Sequence, residues 1–174
     1  MLFRSAAAGS ATPVKVRING RPVTISAAPS SYAELKRAWK SGDVVDLDLP
    51  MPAQLIEANP LVEETYNQVA VKRGPIVYCL ESPELPRGTR LSEVLVPHNI
   101  DLRARYDRRL LDGVVVLEGQ GFTRAQGNWT NQLYREVHSS RLRPIELRFI
   151  PYYAWNNRGA SEMSVWLPAL LSPR

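Results

Sequence analysis

The sequence predicts an all-β fold, an antiparallel β-sandwich of jelly-roll-like kind. Three observations carry that expectation. Short apolar segments alternate with polar residues at a period of two. Fourteen prolines and ten glycines punctuate 174 residues, leaving little room for long helices. The Asn19-Gly20 pair joins two alternating runs in the manner of a tight hairpin.

The elements follow in order. Residues 1–13, "MLFRSAAAGSATP", read as a disordered leader, because the apolar run breaks off before the roughly 7–15 residues a signal peptide needs. A cytoplasmic location is the corresponding expectation. In "VKVRI", Val14, Val16 and Ile18 alternate with Lys15 and Arg17, and "RPVTIS" returns after the Asn-Gly turn. Val45, Leu47 and Leu49 alternate with Asp46 and Asp48 after a Gly42-Asp43 turn. "SYAELKRAWK" fits two patterns: Tyr32, Leu35 and Trp39 make a helical stripe, whereas Ala33, Leu35 and Trp39 make a strand face. The continuous run Ile76–Leu80 is that of a strand buried on both faces. Further strands are expected at Glu93–Val96, Leu102–Tyr106, Val114–Glu118, Ile145–Tyr153 and Met163–Leu167. The polar, glycine-bearing stretch "GQGFTRAQGNWTNQLYREVHSSRLRP" reads as a long loop.

Composition excludes several classes of function. At 44% hydrophobic and 22% charged residues the chain has an ordinary globular balance. No apolar run reaches the roughly 18 residues of a membrane helix. The net charge of +5 is spread among carboxylates, as in "DLRARYDRRLLDG", rather than gathered in a block, so no nucleic-acid partner is expected. A single cysteine, Cys79, excludes an internal disulfide framework and any zinc site built from several thiolates of this chain.

Candidate chemistry is sparse. His98 and His138 have no ligand-spaced carboxylate or cysteine beside them and read as surface or turn histidines. Cys79 sits in the apolar "IVYCLES" and reads as a small buried side chain rather than a nucleophile. Glu57, Glu63, Glu64 and Glu81 include acids of the type a glycosidase pairs, with no pocket signal beside them. Asn128-Trp129-Thr130 fits the N-glycosylation pattern. No catalytic, cofactor-binding or metal-ligating residue is assigned.

Three longer stretches carry more. "SYAELKRAWKSGDVVDLDLPMP", "VAVKRGPIVYCLES" and "IPYYAWNNRGASEMSVWLP" resemble, in this order and spacing, the C-terminal part of glycoside hydrolase family 127, which includes bacterial β-L-arabinofuranosidases. The resemblance covers about residues 14 to 168. It implies strand structure for "SYAELKRAWK". It implies that residues 14–60 are the second half of one sandwich and residues 61–170 a complete second one. The family's chemistry belongs to an (α/α)6 barrel, where cysteines and a glutamate hold zinc, one of those cysteines is the nucleophile and another glutamate is the acid/base. Nothing in this chain matches that part, so no catalytic residue carries over to any position. Zinc is expected only in the missing barrel, and that barrel is the expected partner. The implied function is a non-catalytic accessory region, inactive alone, of an enzyme acting on β-L-arabinofuranosides. A free-standing carbohydrate-binding module is the alternative, and a basic nucleic-acid-binding β domain a more distant one.

In "IPYYAWNNRGASEMSVWLP", strand alternation sets Ile150, Tyr152 and Ala154 against Pro151, Tyr153 and Trp155. After a turn over Asn156–Gly159, Met163, Val165 and Leu167 alternate with Ser164 and Trp166. Half of these aromatics are therefore expected in the core and half on a surface facing a sugar or a neighbouring domain, with core or interface preferred.

Overall fold

A computed structural model describes residues 14–25, 32–124, 130–136 and 141–170, together with the backbone of 2–4. The chain divides into two units, Met1–Pro52 and Ala53–Arg174.

The first unit holds β1 (Leu2–Arg4), β2 (Lys15–Ile18), β3 (Arg21–Val23), β4 (Tyr32–Glu34) and β5 (Val45–Asp48). β3, β2 and β5 form an antiparallel sheet with β2 in the middle, and β1 pairs with β4. The hairpin between β2 and β3 turns on Asn19 (φ 52°) and Gly20 (φ 77°), the two positive values a type I′ turn requires. Asn19 also ties this turn to a distant segment. Its Nδ2 donates to Asp43 Oδ1 at 2.8 Å, and the Val44 N–H donates to its Oδ1 at 2.9 Å. Of the ambiguous Tyr32–Lys40 segment only Tyr32–Glu34 is a strand, β4, and Leu35–Lys40 follows it without regular structure; Ala33 and Leu35 are buried, while Tyr32 and Trp39 are exposed. The core of this unit is small: Val16, Ile18 and Leu35, flanked by Val14, Val23, Ile25 and Val45. Leu47 and Leu49 stay exposed at 39% and 40%. One sequence expectation is corrected here. Leu2–Arg4, read as disordered leader, pairs with Tyr32–Glu34, while residues 5–13 lie outside the described ones.

The second unit holds β6 (Ala53–Glu57), β7 (Gln68–Arg73), β8 (Ile76–Glu81), β9 (Val94–Pro97), β10 (Arg103–Asp107), β11 (Val114–Arg124), β12 (Leu142–Pro151), β13 (Met163–Ser164) and β14 (Trp166–Leu170). Two of these strands change partner along their length. β12 pairs with β11 through Leu142 to Phe149, then with β8 at Ile150 and Pro151. β14 pairs with β7 through Trp166–Pro168, then runs parallel to β9 at Ala169 and Leu170. Through these two corners the pairings close into a ring, β7-β8-β12-β11-β9-β14, with β6, β10 and β13 attached to its flanks. Closure of this kind removes open edges from the ring strands. β6 pairs antiparallel with β7 from Ala53 to Glu57, so this strand, placed in the first unit by the sequence reading, belongs by pairing to the second.

Packing follows from alternation. Tyr78 and Leu80 of β8 join Val94, Val96, Leu117, Leu147, Phe149 and Leu167 in the main core. Cys79, on the opposite face of β8, joins Val116, Ile150, Leu110, Val114 and Ala154 in a second cluster. Val77 near the start of β8 stays 42% exposed, but from Tyr78 to Glu81 both faces of the strand are thus covered, which suits its continuously apolar sequence. Each such side chain contributes about 1.5–3 kcal/mol on burial. The Tyr78 hydroxyl, inside this core, donates to the Val115 carbonyl at 3.0 Å.

β11 is longer than the sequence suggests: it continues through Gly119–Arg124, which reads as loop. The glycines there are a packing requirement. A Cβ on Gly119 would lie 2.9 Å from the Asp101 carbonyl oxygen, and one on Gly121 would lie 2.3 Å from Leu147 Cδ1. Such close approach is what an isolated strand glycine marks.

Candidate functional site

The segment from Pro151 to Glu162 departs from the alternation expected of it. β12 ends at Pro151, and Tyr152–Ala154 forms a 3-10 turn closed by the Trp155 N–H donating to the Tyr152 carbonyl at 3.1 Å. The turn swings Tyr152, Tyr153 and Trp155 outward, 47%, 68% and 37% exposed, while Ala154 tucks into the second core cluster. The Tyr152 and Trp155 rings lie nearly parallel, 15° apart, with centroids separated by 6.2 Å. Trp166, the fourth aromatic of the motif, is half-buried beside the fully buried Leu167. The returning strand is broken at Val165, where its pairing passes from β8 to β7.

The residues that follow the aromatics fasten the turn from beneath. Asn156 takes a positive φ of 64°, and its N–H donates to Glu81 Oε1 at 3.1 Å. Asn157 Nδ2 donates to the carbonyls of Ala154 and Trp155 at 3.1 and 3.2 Å. The Arg158 guanidinium forks between Glu81 Oε2 and Glu84 Oε1. Glu162 and Ser82 close the far end, the Ser82 N–H donating to the Glu162 carbonyl at 2.9 Å and the Glu162 N–H to Ser82 Oγ at 3.2 Å. The ion pairs continue from Glu84 to Arg148, and from Arg148 to Asp107 and Glu118, which also receives Arg105. "NNRG" is thus the clamp that holds "YYAW" in place.

The other sequence candidates do not converge. Glu57, Glu63 and Glu64 are exposed, whereas Glu81 is 1% exposed and committed to Arg158 and Asn156. His98 is exposed after β9. His138, Asn128 and Trp129 lie outside the described residues. Burial, with Glu81 nearby, pushes the Cys79 thiol up to about 12, away from the range of a nucleophile or thiolate ligand. Among the described residues no three His, Cys, Asp or Glu side chains gather as metal ligands. The described residues therefore do not fit the zinc that the family resemblance implies. A cavity of about 860 Å³ opens beside β11, its lining including Asp101, Arg103, Glu118, Gln120 and Glu146. Its charges are partly engaged, Arg103 with Asp101 at 3.0 Å and Glu118 with Arg105 at 2.5 Å.

The clamp was missed at the sequence level because its partners are 74 to 77 residues apart. Arg158 in "NNRG" and the two glutamates of "LESPE" are each ordinary in isolation.

The second unit is thus a closed all-β ring carrying a fixed aromatic turn, and the candidate groups among the described residues do not converge on one site. Comparison with known proteins gives its kind. Residues 53–168 match the glycoside hydrolase family 127 C-terminal domain, and residues 3–51 match the middle domain of the family's β-L-arabinofuranosidases. The chain belongs to glycoside hydrolase family 127. Its match to the middle domain also reaches into residues read as leader. It is 30% identical, over 86% of its length, to a non-reducing end β-L-arabinofuranosidase of Bifidobacterium longum subsp. longum, covering 23% of that protein. It superposes over 97% of its length on 27% of a glycoside hydrolase chain, with TM-score 0.84 and 42% identity. A family-127 β-L-arabinofuranosidase from Geobacillus stearothermophilus T6 is similar over 97% of this chain and 26% of its own, with TM-score 0.79 and 38% identity. The chain spans about a quarter of the length of these relatives.

Proposed function

We propose that this chain is the non-catalytic C-terminal portion of an enzyme that hydrolyses β-L-arabinofuranosides, and that its work is to pack against and support an (α/α)6 catalytic barrel. The observation that carries this reading is the match of nearly the whole chain to about a quarter of the length of a solved glycoside hydrolase and of a solved family-127 β-L-arabinofuranosidase. The buried, non-ionised Cys79 supports it, as does the scattering of the carboxylates. In this reading zinc and the nucleophile belong to the barrel. The domain arrangement is a partial first sandwich followed by a complete second one. The test is to assay the purified chain on an aryl β-L-arabinofuranoside and measure its metal content. Neither turnover nor stoichiometric zinc is expected. Turnover abolished by Cys79→Ser, with one zinc per chain, overturns the reading.

A second reading is favoured by one observation, the exposed and nearly parallel Tyr152 and Trp155 rings. Rings held this way suit stacking on a sugar, and a free-standing carbohydrate-binding module would use them so. Saturable quenching of tryptophan fluorescence by arabinose-containing oligosaccharides, lost in Trp155→Ala, selects this reading. Unchanged fluorescence dismisses it.

A further inference from the structure

We infer that Tyr152, Tyr153 and Trp155 form a docking face for the portion of a longer family-127 polypeptide that lies outside these 174 residues, and that the Glu81–Arg158–Glu84 clamp sets the position of that face. The inference rests on the accessory reading above and adds to it the surface that makes the contact.

Anchoring is the first argument. An exposed turn with three large aromatics would ordinarily be free to rearrange. Here Ala154 is buried beneath it, Asn157 bonds two of its carbonyls, and Arg158 ties its end to a carboxylate that is 1% exposed. Burying Glu81 is costly without a charged partner. That cost is incurred beneath a segment whose three aromatic side chains stay 37% to 68% exposed. Tyrosines and a tryptophan presented at fixed positions are the residue types that dominate interface energetics.

Area decides among occupants. The exposed parts of the three rings amount to on the order of 300 Å². A stable complex of free partners needs about 800 Å² from each side. The patch alone is therefore too small to hold a second copy of the chain or a diffusing protein. A face of this size suffices when the partner is covalently attached, because tethering supplies effective concentrations of millimolar order. The relatives supply such a partner, since about three quarters of each of them lies beyond the matched region.

The experiment exchanges the matching quarter of the Geobacillus stearothermophilus enzyme for this chain, with and without Tyr152→Ser and Trp155→Ser. Hydroxyl-radical labelling of the three aromatics is followed in the isolated chain and in the chimera. Labelling at least 5-fold slower in the chimera is expected. The doubly substituted chimera should lose arabinofuranosidase activity on warming, and the two substitutions should lower its melting temperature by more than they lower that of the isolated chain. Equal labelling in both contexts, with an active chimera indifferent to the substitutions, overturns the docking face and leaves the accessory reading standing. An unsubstituted chimera that is inactive or unfolded counts against the accessory reading itself. Protection already present in the isolated chain also overturns the inference. If that protection rises with protein concentration the occupant is a second copy, and if arabinose-containing oligosaccharides produce it the face is a sugar platform.

Discussion

Arg158 closes on Glu81 from 77 residues further along the chain, pairing through Nη2 with a carboxylate that is 1% exposed. The two partners are not equivalent. Arg158 is 23% exposed and has Glu84 as a second partner, whereas Glu81 has Arg158 and one backbone N–H. Removing the arginine therefore strands a buried charge, while removing the glutamate's charge leaves an arginine still paired and partly hydrated.

This asymmetry gives the first prediction. Arg158→Met should destabilise the second unit by about 3 kcal/mol, and Glu81→Gln by about 1 kcal/mol. Urea unfolding of both variants and of the double variant measures the difference and the coupling. Strictly additive effects, or a larger loss in Glu81→Gln, would show that the pair is not the clamp described above.

The hairpin at Asn19-Gly20 and the strand over Ile76–Leu80 were legible in the sequence, because each rests on neighbours in the chain, although burial on both faces holds only from Tyr78 onward and Val77 stays exposed. Two other features were not. The glycines of β11 read as loop, since their reason for being small lies in Leu147 and Asp101, on other segments. The aromatic turn was read as strand because alternation continues through Tyr152–Trp155. What stops the strand there is a 3-10 turn whose fastening to Glu81 and Glu84 is invisible locally. Long-range fastening is the part of this fold that pattern reading did not reach.

Gly121→Ala tests the packing account of β11. The added methyl would meet Leu147 Cδ1 at 2.3 Å and the Leu95 carbonyl oxygen at 3.0 Å, and Leu147 is fully buried. Overpacking of this kind costs about 1–3 kcal/mol. A variant as stable as the parent in urea would mean that the strand has room the structure does not show.

Cys79 should be inert in the native chain. With its thiol held at about 12, the thiolate at pH 8 is on the order of 10⁻⁴ of the total. Alkylation by iodoacetamide should need unfolding and become fast in urea. The same displacement has a pH consequence. The unfolded thiol ionises near pH 8.5 while the folded one keeps its proton. The contribution to stability is complete below about pH 8.5 and shrinks as pH rises towards 12. Rapid native alkylation at pH 8 would contradict the burial of this side chain.

Acid should act on the other end of the ion-pair chain. The Asp107 carboxyl is held below its ordinary range by the Arg109 backbone N–H and by Arg148 and Arg105, and the Glu118 carboxyl by its bond from Arg105. Both folded values are depressed, so their contribution is present above about pH 4 and is lost as pH falls through the folded values. Urea midpoints at pH 6, 4 and 3 should decline for the parent and decline less for Asp107→Asn. Parallel declines in the two proteins would remove Asp107 from the account.

The two units should differ in how readily they open. In the first, the buried cluster consists of Val16, Ile18 and Leu35, and Leu47 and Leu49 remain near 40% exposed on β5 and just beyond it. β3 and β5 are the outer strands of its sheet, so each leaves one row of backbone groups unpaired within that sheet. In the second, β8 and β12 lie inside the ring, and their segments Tyr78–Glu81 and Leu147–Pro151 contribute to the main core and the second cluster. Opening a segment exposes the apolar area it buries, at about 25 cal/mol per Å². Opening β8 or β12 exposes far more of it than opening β2. Hydrogen exchange should therefore be fast across Lys15–Ile18 and Val45–Asp48 and slow across Tyr78–Glu81 and Leu147–Pro151. If the β2 amides of the monomeric chain are as well protected as those of β8, the first unit has a core beyond the three side chains named above, and it stands as an independent domain.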